Sequence, residues 1–363
     1  MIRRFDKLIL ILLTEPSTIV MKNNSPFSPI VHLVIYSMMF ITSCSLDTKK
    51  PNVSEITVDL TVNRFENDLF EMDIMHPDMS ISTLKQKYGD FFDLYMFQIT
   101  SLGVQDSILM RDRIMSFVQD TNFRAVYRDC KKEFGDFAVE TKALKNAFQY
   151  YKFYFPNKPI PSIVTMLSGF SFPIVCDSFN LGIGLDMYLG KDYRFYSTLE
   201  PPLPNYLKVQ MVKSNVVCDA MKGWAMSDYQ IDESKAQVID MMISQGRIIS
   251  FLEKVLPDAK DTMRLGYTSS QLEWCEQSEK KIWQFFVQNK LLFSVDPTIL
   301  SKYTNEGPTT NGFPKESPGN IGKYIGWKII KSYEKKHPEV SIEKLMEEKD
   351  LMKIYNESGY RAE

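Results

Sequence analysis

The sequence predicts an α+β fold, a mostly helical single domain carrying a small β-sheet, and three observations predict it. Apolar residues recur at helical spacing through residues 80–155 and again beyond Pro204. Between those stretches, residues 162–185 break into three short apolar runs separated by turn formers. A hydrophobic fraction of 44% against 24% charged residues suits a chain that buries a sizeable core.

The chain opens on an export signal. From Met21, read as the true start, Lys22 supplies a basic region, residues 30–41 an apolar run, and Thr42 and Ser43 small side chains before Cys44. That order is the layout of a secretory signal, and the run falls short of the roughly 20 apolar residues a transmembrane helix needs. Ile41-Thr42-Ser43-Cys44 resembles the bacterial lipobox. A thiol is required there as the nucleophile that accepts a diacylglyceryl group, and small residues before it admit the signal peptidase. Residues 1–43 are therefore expected to be removed, with Cys44 lipidated and residues 44–54 forming a polar tether containing Pro51. The alternatives are an uncleaved signal anchor, and residues 1–20 as an extension of the basic region.

The globular body is expected over residues 55–363. Ile56, Val58, Leu60 and Val62 alternate with polar residues, the period of a half-buried strand. Leu109, Ile114, Phe117 and Val118 mark helices, and the aromatic tract 148–155 belongs to a helix ending at Pro156. The apolar runs 163–167, 172–176 and 181–185 read as neighbouring strands joined by tight turns. Val216, Val217, Ala220 and Trp224 make one helix face. A second stripe, with Val238, Met242, Ile249 and Leu252, continues to Pro257. Thr268 with Gln271 spells a capping box, after which Leu272, Cys275, Ile282 and Phe286 share a face. Ser317 followed by Pro318 reads as an N-cap with Pro at the first helical position. In that helix Gly322 and Gly326 lie one turn apart. Each costs about 1 kcal/mol relative to Ala, so another backbone should pack against them. Tyr324 and Trp327 add large apolar surface beside that groove, for internal packing or a partner.

Chemistry is scarce. The net charge is −2, and residues 1–43 hold four basic against two acidic groups, so the remainder is more acidic still, which argues against nucleic-acid binding. The three histidines are His32, His76 and His337, and His32 lies in the segment expected to be lost. No CxxC pair exists among the five cysteines. Strands followed by two helices resemble a degenerate zincin arrangement. The first of those helices, however, reads Val216-Val217-Cys218-Asp219-Ala220-Met221-Lys222, without the two histidines one turn apart that grip zinc. No metal, no cofactor and no catalytic residue is expected. Asp186, at the end of an apolar strand, has two readings: a carboxylate satisfying backbone donors in the following turn, or the site of an unrecognised hydrolase.

Four strings carry a resemblance: 183–192 (IGLDMYLGKD), Leu265-Gly266-Tyr267-Thr268 with Gln271 and Trp274, 282–286 (IWQFF), and 316–327 (ESPGNIGKYIGW). In order and spacing they resemble the GldB family of gliding-motility lipoproteins of Bacteroidetes, over nearly the whole mature chain. The resemblance implies a membrane-anchored, non-catalytic component of the envelope machinery that moves adhesins, bound to other gliding or secretion proteins. Surface-exported lipoproteins of that group carry an acidic cluster after the cysteine. Here Asp47 is followed by Lys49 and Lys50, which favours the periplasmic side.

Overall fold

The computed structural model describes residues 50–362. The signal segment, the lipobox with Cys44 and residues 45–49 of the tether lie outside the described residues. Val53 is already buried, so the body takes in the end of the segment read as tether, and Pro51–Glu363 make one compact unit.

The alternating segment 55–62 keeps its burial pattern, with Val58 enclosed, but sheet pairing begins only at β1 (Val62–Arg64). Before it the Ile56 carbonyl accepts from the Gln149 side-chain amide at 2.9 Å, so this stretch lies on a helix rather than beside a strand. Five helices follow: α1 (Phe65–Phe70), α2 (Pro77–Tyr88), α3 (Asp90–Leu94, running on into a π-helical turn), α4 (Ser107–Gln119) and α5 (Thr121–Phe134). Next comes α6 (Ala138–Tyr154), which stops before Pro156 because the residue preceding a proline is pushed out of helical geometry.

The three apolar runs become β2 (Ser162–Met166), β3 (Ile174–Cys176) and β4 (Asn180–Gly184). Their order corrects the expectation of simple neighbours. The sheet runs β1-β2-β4-β3, with β1, β2 and β4 parallel and β3 antiparallel at the edge. Only β3 and β4 form a hairpin, closed by Asp177, whose carboxylate accepts from the backbone N–H of Phe179 and Asn180 at 2.7 and 2.8 Å. Parallel strands cannot be joined by a tight turn, so β2 reaches β4 by way of β3. The central strands are apolar on both faces because both faces are covered. A Cβ at Gly182 would meet the Phe91 ring of α3 at 3.1 Å. Ile174 packs against Gly223 of α8 (Val216–Asp228) from the other face. Strand residues alternate in direction, so the N-terminal helices and α8 sandwich the sheet.

Beyond α7 (Asn205–Lys208) and α8 the chain is helical: α9 (Val238–Val255), α10 (Asp261–Leu265), α11 (Ser269–Gln288), α12 (Pro297–Thr304), α13 (Ile321–Lys336), α14 (Ile342–Glu347) and α15 (Leu351–Ser358). α9 is buried nearly all round and forms the axis of this half, as a helix apolar on every side must. The Thr268–Gln271 capping box is present at the start of α11.

The Ser317–Pro318 helix start is corrected. α13 begins at Ile321, capped by Asn320, whose side chain accepts from the Lys323 N–H at 3.3 Å with its backbone at φ 54°. Ser317 is turned inward, its hydroxyl taken by the Thr310 N–H, while the Pro318 carbonyl accepts from the Thr310 hydroxyl at 2.7 Å. Nothing among the described residues supports the zincin-like part of the reading. α8 presents Asp219 and Lys222 where such a helix would carry histidines, and among the described residues no group of three His, Cys, Asp or Glu could hold a metal ion.

Candidate functional site: a charged groove beside the edge strand

Asp186 follows β4 and is 1% exposed. Its carboxylate accepts from the backbone N–H of Ser168 at 2.9 Å and of Phe170 at 2.7 Å, with the Ser168 hydroxyl at 3.2 Å. These donors belong to the loop after β2, not to the turn after Asp186 as the sequence suggested. Burial pushes the carboxyl up to about 6 against the pull of those donors. Asp186 thus ties the ends of two parallel strands together and lines neither large cavity.

Gly322, Tyr324, Gly326 and Trp327 all lie inside the body. At Gly326 an added Cβ would collide with the Met242 backbone, and at Gly246 with the Gly326 backbone. The helix that fills the glycine groove is therefore α9 of the same chain, meeting it through a glycine of its own. The Tyr324 hydroxyl donates to Glu279 at 2.8 Å and the Trp327 indole N–H to Glu253 at 3.2 Å, which satisfies their polar ends.

The largest concentration of chemistry lies elsewhere, around a cavity of about 550 Å³ between α8, β3, the start of α11 and the loop leading into α13. One helical face of α8 supplies Asp219, Lys222, Gly223 and Met226, positions three, four and seven residues apart. Asp219 accepts from the Tyr188 hydroxyl at 3.1 Å. Burial holds its carboxyl above the usual range, opposed by Lys222 and by that hydrogen bond. Across the cavity Lys323, 3% exposed, donates to Glu306 at 2.7 Å and sits 5.0 Å from the centre of the Tyr267 ring. Burial pulls the Lys323 ammonium down and Glu306 supports it. Burial likewise works against the Glu306 carboxylate, but Lys323 and Lys222 outweigh it and leave the group below its usual range. Lys222, Glu306 and Lys323 also border a second cavity of about 600 Å³, so this cluster forms the partition between two spaces.

Among the described residues Lys222 has no ion pair or hydrogen bond in the structure. The charge-bearing groups are thus a Lys323–Glu306 pair, Arg264 bound to Asp261 and to the Leu256 carbonyl, a carboxylate with one oxygen committed to Tyr188, and the Lys222 ammonium without a direct bond. Cys130, Cys176, Cys218 and Cys275 are free. Burial lifts Cys176, at the cavity wall, to about 12, so the thiol there is not a nucleophile near neutral pH. Sequence reasoning passed over this groove. The signal for half of it was the pair of charged residues Asp219 and Lys222 amid the apolar residues 216–226, in the same string that lacks zinc-binding histidines.

A family model described as gliding motility protein GldB matches residues 46–362. No curated protein and no solved structure matches the chain.

Proposed function

We propose, from the premise that this chain belongs to the GldB family of gliding motility proteins, that its folded body is a non-catalytic, protein-binding component of the adhesin-moving machinery. The family is one of lipoproteins, which makes the chain a lipid-anchored envelope protein. No helix of the described residues is long and apolar enough to cross a membrane. The anchor is the lipid on Cys44, the body faces the periplasm, and the groove beside α8 receives another gliding or secretion protein of the envelope.

One observation carries this reading. The charged groove is built to hold a partner's polar groups, with a spare ammonium and a half-committed carboxylate on one helix face, while the carboxylate suspected of hydrolysis, Asp186, is sealed under backbone donors. Burying such groups without partners is costly, so an occupant that pairs with them is favoured by the difference.

The test is adhesin tracking on living cells. Deletion of the chromosomal copy should abolish movement, and Cys44→Ala should do the same by releasing the protein from its membrane. Asp186→Asn, with normal abundance confirmed, should leave movement intact. Movement lost in the Asp186→Asn strain at full abundance would instead favour carboxylate chemistry.

A further inference from the structure

The groove has a wall whose backbone is unsatisfied. In the β3–β4 hairpin the Gly184 N–H donates to the Pro173 carbonyl at 2.9 Å and the Asp177 N–H to the Asn180 carbonyl at 3.0 Å. In an antiparallel pair bonded residues alternate with non-bonded ones, and the register places Ile174 opposite Ile183 and Cys176 opposite Leu181. The bonded positions of this strand are therefore 173, 175 and 177. The N–H and C=O groups of Ile174 and Cys176 point away from β4, and β3 is the last strand of the sheet. Neither N–H finds a partner among the described residues.

That free edge adjoins the charged groove. Pro173, Ile174 and Cys176 border the same cavity as Asp219 and Lys222, and Ile174 seats on Gly223, the residue after Lys222. Two exposed apolar side chains, Val209 at 43% and Met226 at 48%, also border the cavity. An unpaired strand edge is a template for another strand. Lys222 offers an ammonium that makes no hydrogen bond or ion pair among the described residues, with Asp219 and Glu306 acting on it only across a distance. A neutral apolar ligand would leave both features unsatisfied, whereas an extended acidic peptide satisfies them together.

Building on the protein-binding function proposed above, we infer that the groove takes an extended segment of a partner protein as a fifth strand on β3. Its backbone pairs with Ile174 and Cys176, and an acidic side chain of the segment reaches Lys222. The apolar rim covers the alternate side chains that face the cavity, and Asp219 accepts from a donor on the segment. Specificity then comes from the charged pair and affinity from main-chain bonds, the division expected when a strand is added to an existing sheet.

The experiment uses the mature chain and a library of short linear peptides of random sequence as probe. Recovered peptides should carry Asp or Glu at one fixed position, and adding one should protect the Ile174 and Cys176 amides from hydrogen exchange. Lys222→Glu should weaken those peptides about tenfold or more, and replacing the peptide's acid by Lys should restore binding to that variant. The inference is overturned if no peptide is recovered, if recovered peptides show no acidic position, if the two amides stay unprotected, or if Lys222→Glu binds equally. Loss of adhesin movement on deletion tests the broader reading alone, so either can fail while the other stands.

Discussion

Placing a methyl group where α9 and α13 cross is the sharpest perturbation of the fold. A Cβ at Gly326 would fall against the Met242 carbonyl, and one at Gly246 against the Gly326 peptide. In both cases the obstruction is backbone, which no change of rotamer can move. Alanine in a helix returns about 1 kcal/mol of propensity over glycine, while forcing atoms into a packed contact costs about 1–3 kcal/mol and more where nothing yields. The net loss for Gly326→Ala and Gly246→Ala is thus about 2 kcal/mol each. Gly322→Ala should cost less, because its Cβ would lie 2.8 Å from the Tyr303 carbonyl and 3.2 Å from a flexible Met242 side chain. Gly223→Ala should also destabilise, by about 1 kcal/mol or more, since its Cβ would press on Cγ2 of Ile174, a β-branched side chain with little freedom to turn away. The two crossing variants push apart the same pair of helices, so the double variant should lose clearly less than the sum of the singles. Urea unfolding of the mature chain, followed by tryptophan fluorescence, gives all five values. A neutral Gly326→Ala, or strict additivity of the pair, would refute the close backbone contact.

Arg247→Met should lower unfolding free energy by about 2 kcal/mol. Arg247 is 3% exposed and its Nη1 donates to the carbonyls of Met346 and Glu348 at 3.0 and 2.7 Å, the end of α14, so an unchanged urea midpoint would show those carbonyls satisfied otherwise. Asp186 has its carboxyl raised from 3.8 to about 6 in the folded protein. The folded state therefore holds this proton more tightly, and the associated stability, present below pH 3.8, is lost as pH rises through about 6, a change of about 3 kcal/mol. Asp186→Asn should lack that slope, and parallel stability curves for the two proteins between pH 4 and 7 would refute it. Cys44→Ala should leave the protein unacylated and its signal uncleaved, read by mass spectrometry of the intact chain. Dialysis against EDTA should not move the urea midpoint, and a shift would reveal a structural metal.

Much of the fold was legible because its periodicities are local. The stripe through Val238, Met242, Ile249 and Leu252 gave the central helix, and its end at Pro257 follows from proline geometry alone. The runs at 163–167 and 181–185 gave two buried strands to within a residue or two. The failures share a different cause. Ser317 has the composition of an N-cap, but a contact with Thr310 and the packing of Gly319 on Gly307 draw that segment inward and delay α13 to Asn320. Strand order failed in the same way, since the pairing of β2 with β4 in preference to β3 is a property of the closed sheet and leaves no local trace.

The groove was illegible for a further reason: its members are ordinary residues made unusual by where the chain brings them. Asp219 and Lys222 lie one turn apart on a helix, a spacing that on a solvated face would mean little. Glu306 comes from the loop after α12 with no motif around it, and Lys323, from the first turn of α13, lies in the string 316–327, where the glycines rather than the lysine stand out. Their significance rests on energetics. An ion pair such as Lys323–Glu306, with a buried ammonium and a carboxylate 47% exposed, adds little net stability, because desolvation of the lysine consumes much of the attraction. Its strength lies in fixing two charges in a defined place. Set in the partition between two cavities, it lies within electrostatic reach of Lys222, which supports the Glu306 carboxylate and works against the Lys323 ammonium. On the strand-addition proposal, Lys222 is the position at which the groove selects by charge. The glycines of the family-like string 316–327 bring α13, and with it Lys323, close enough to α9 for that partition to exist.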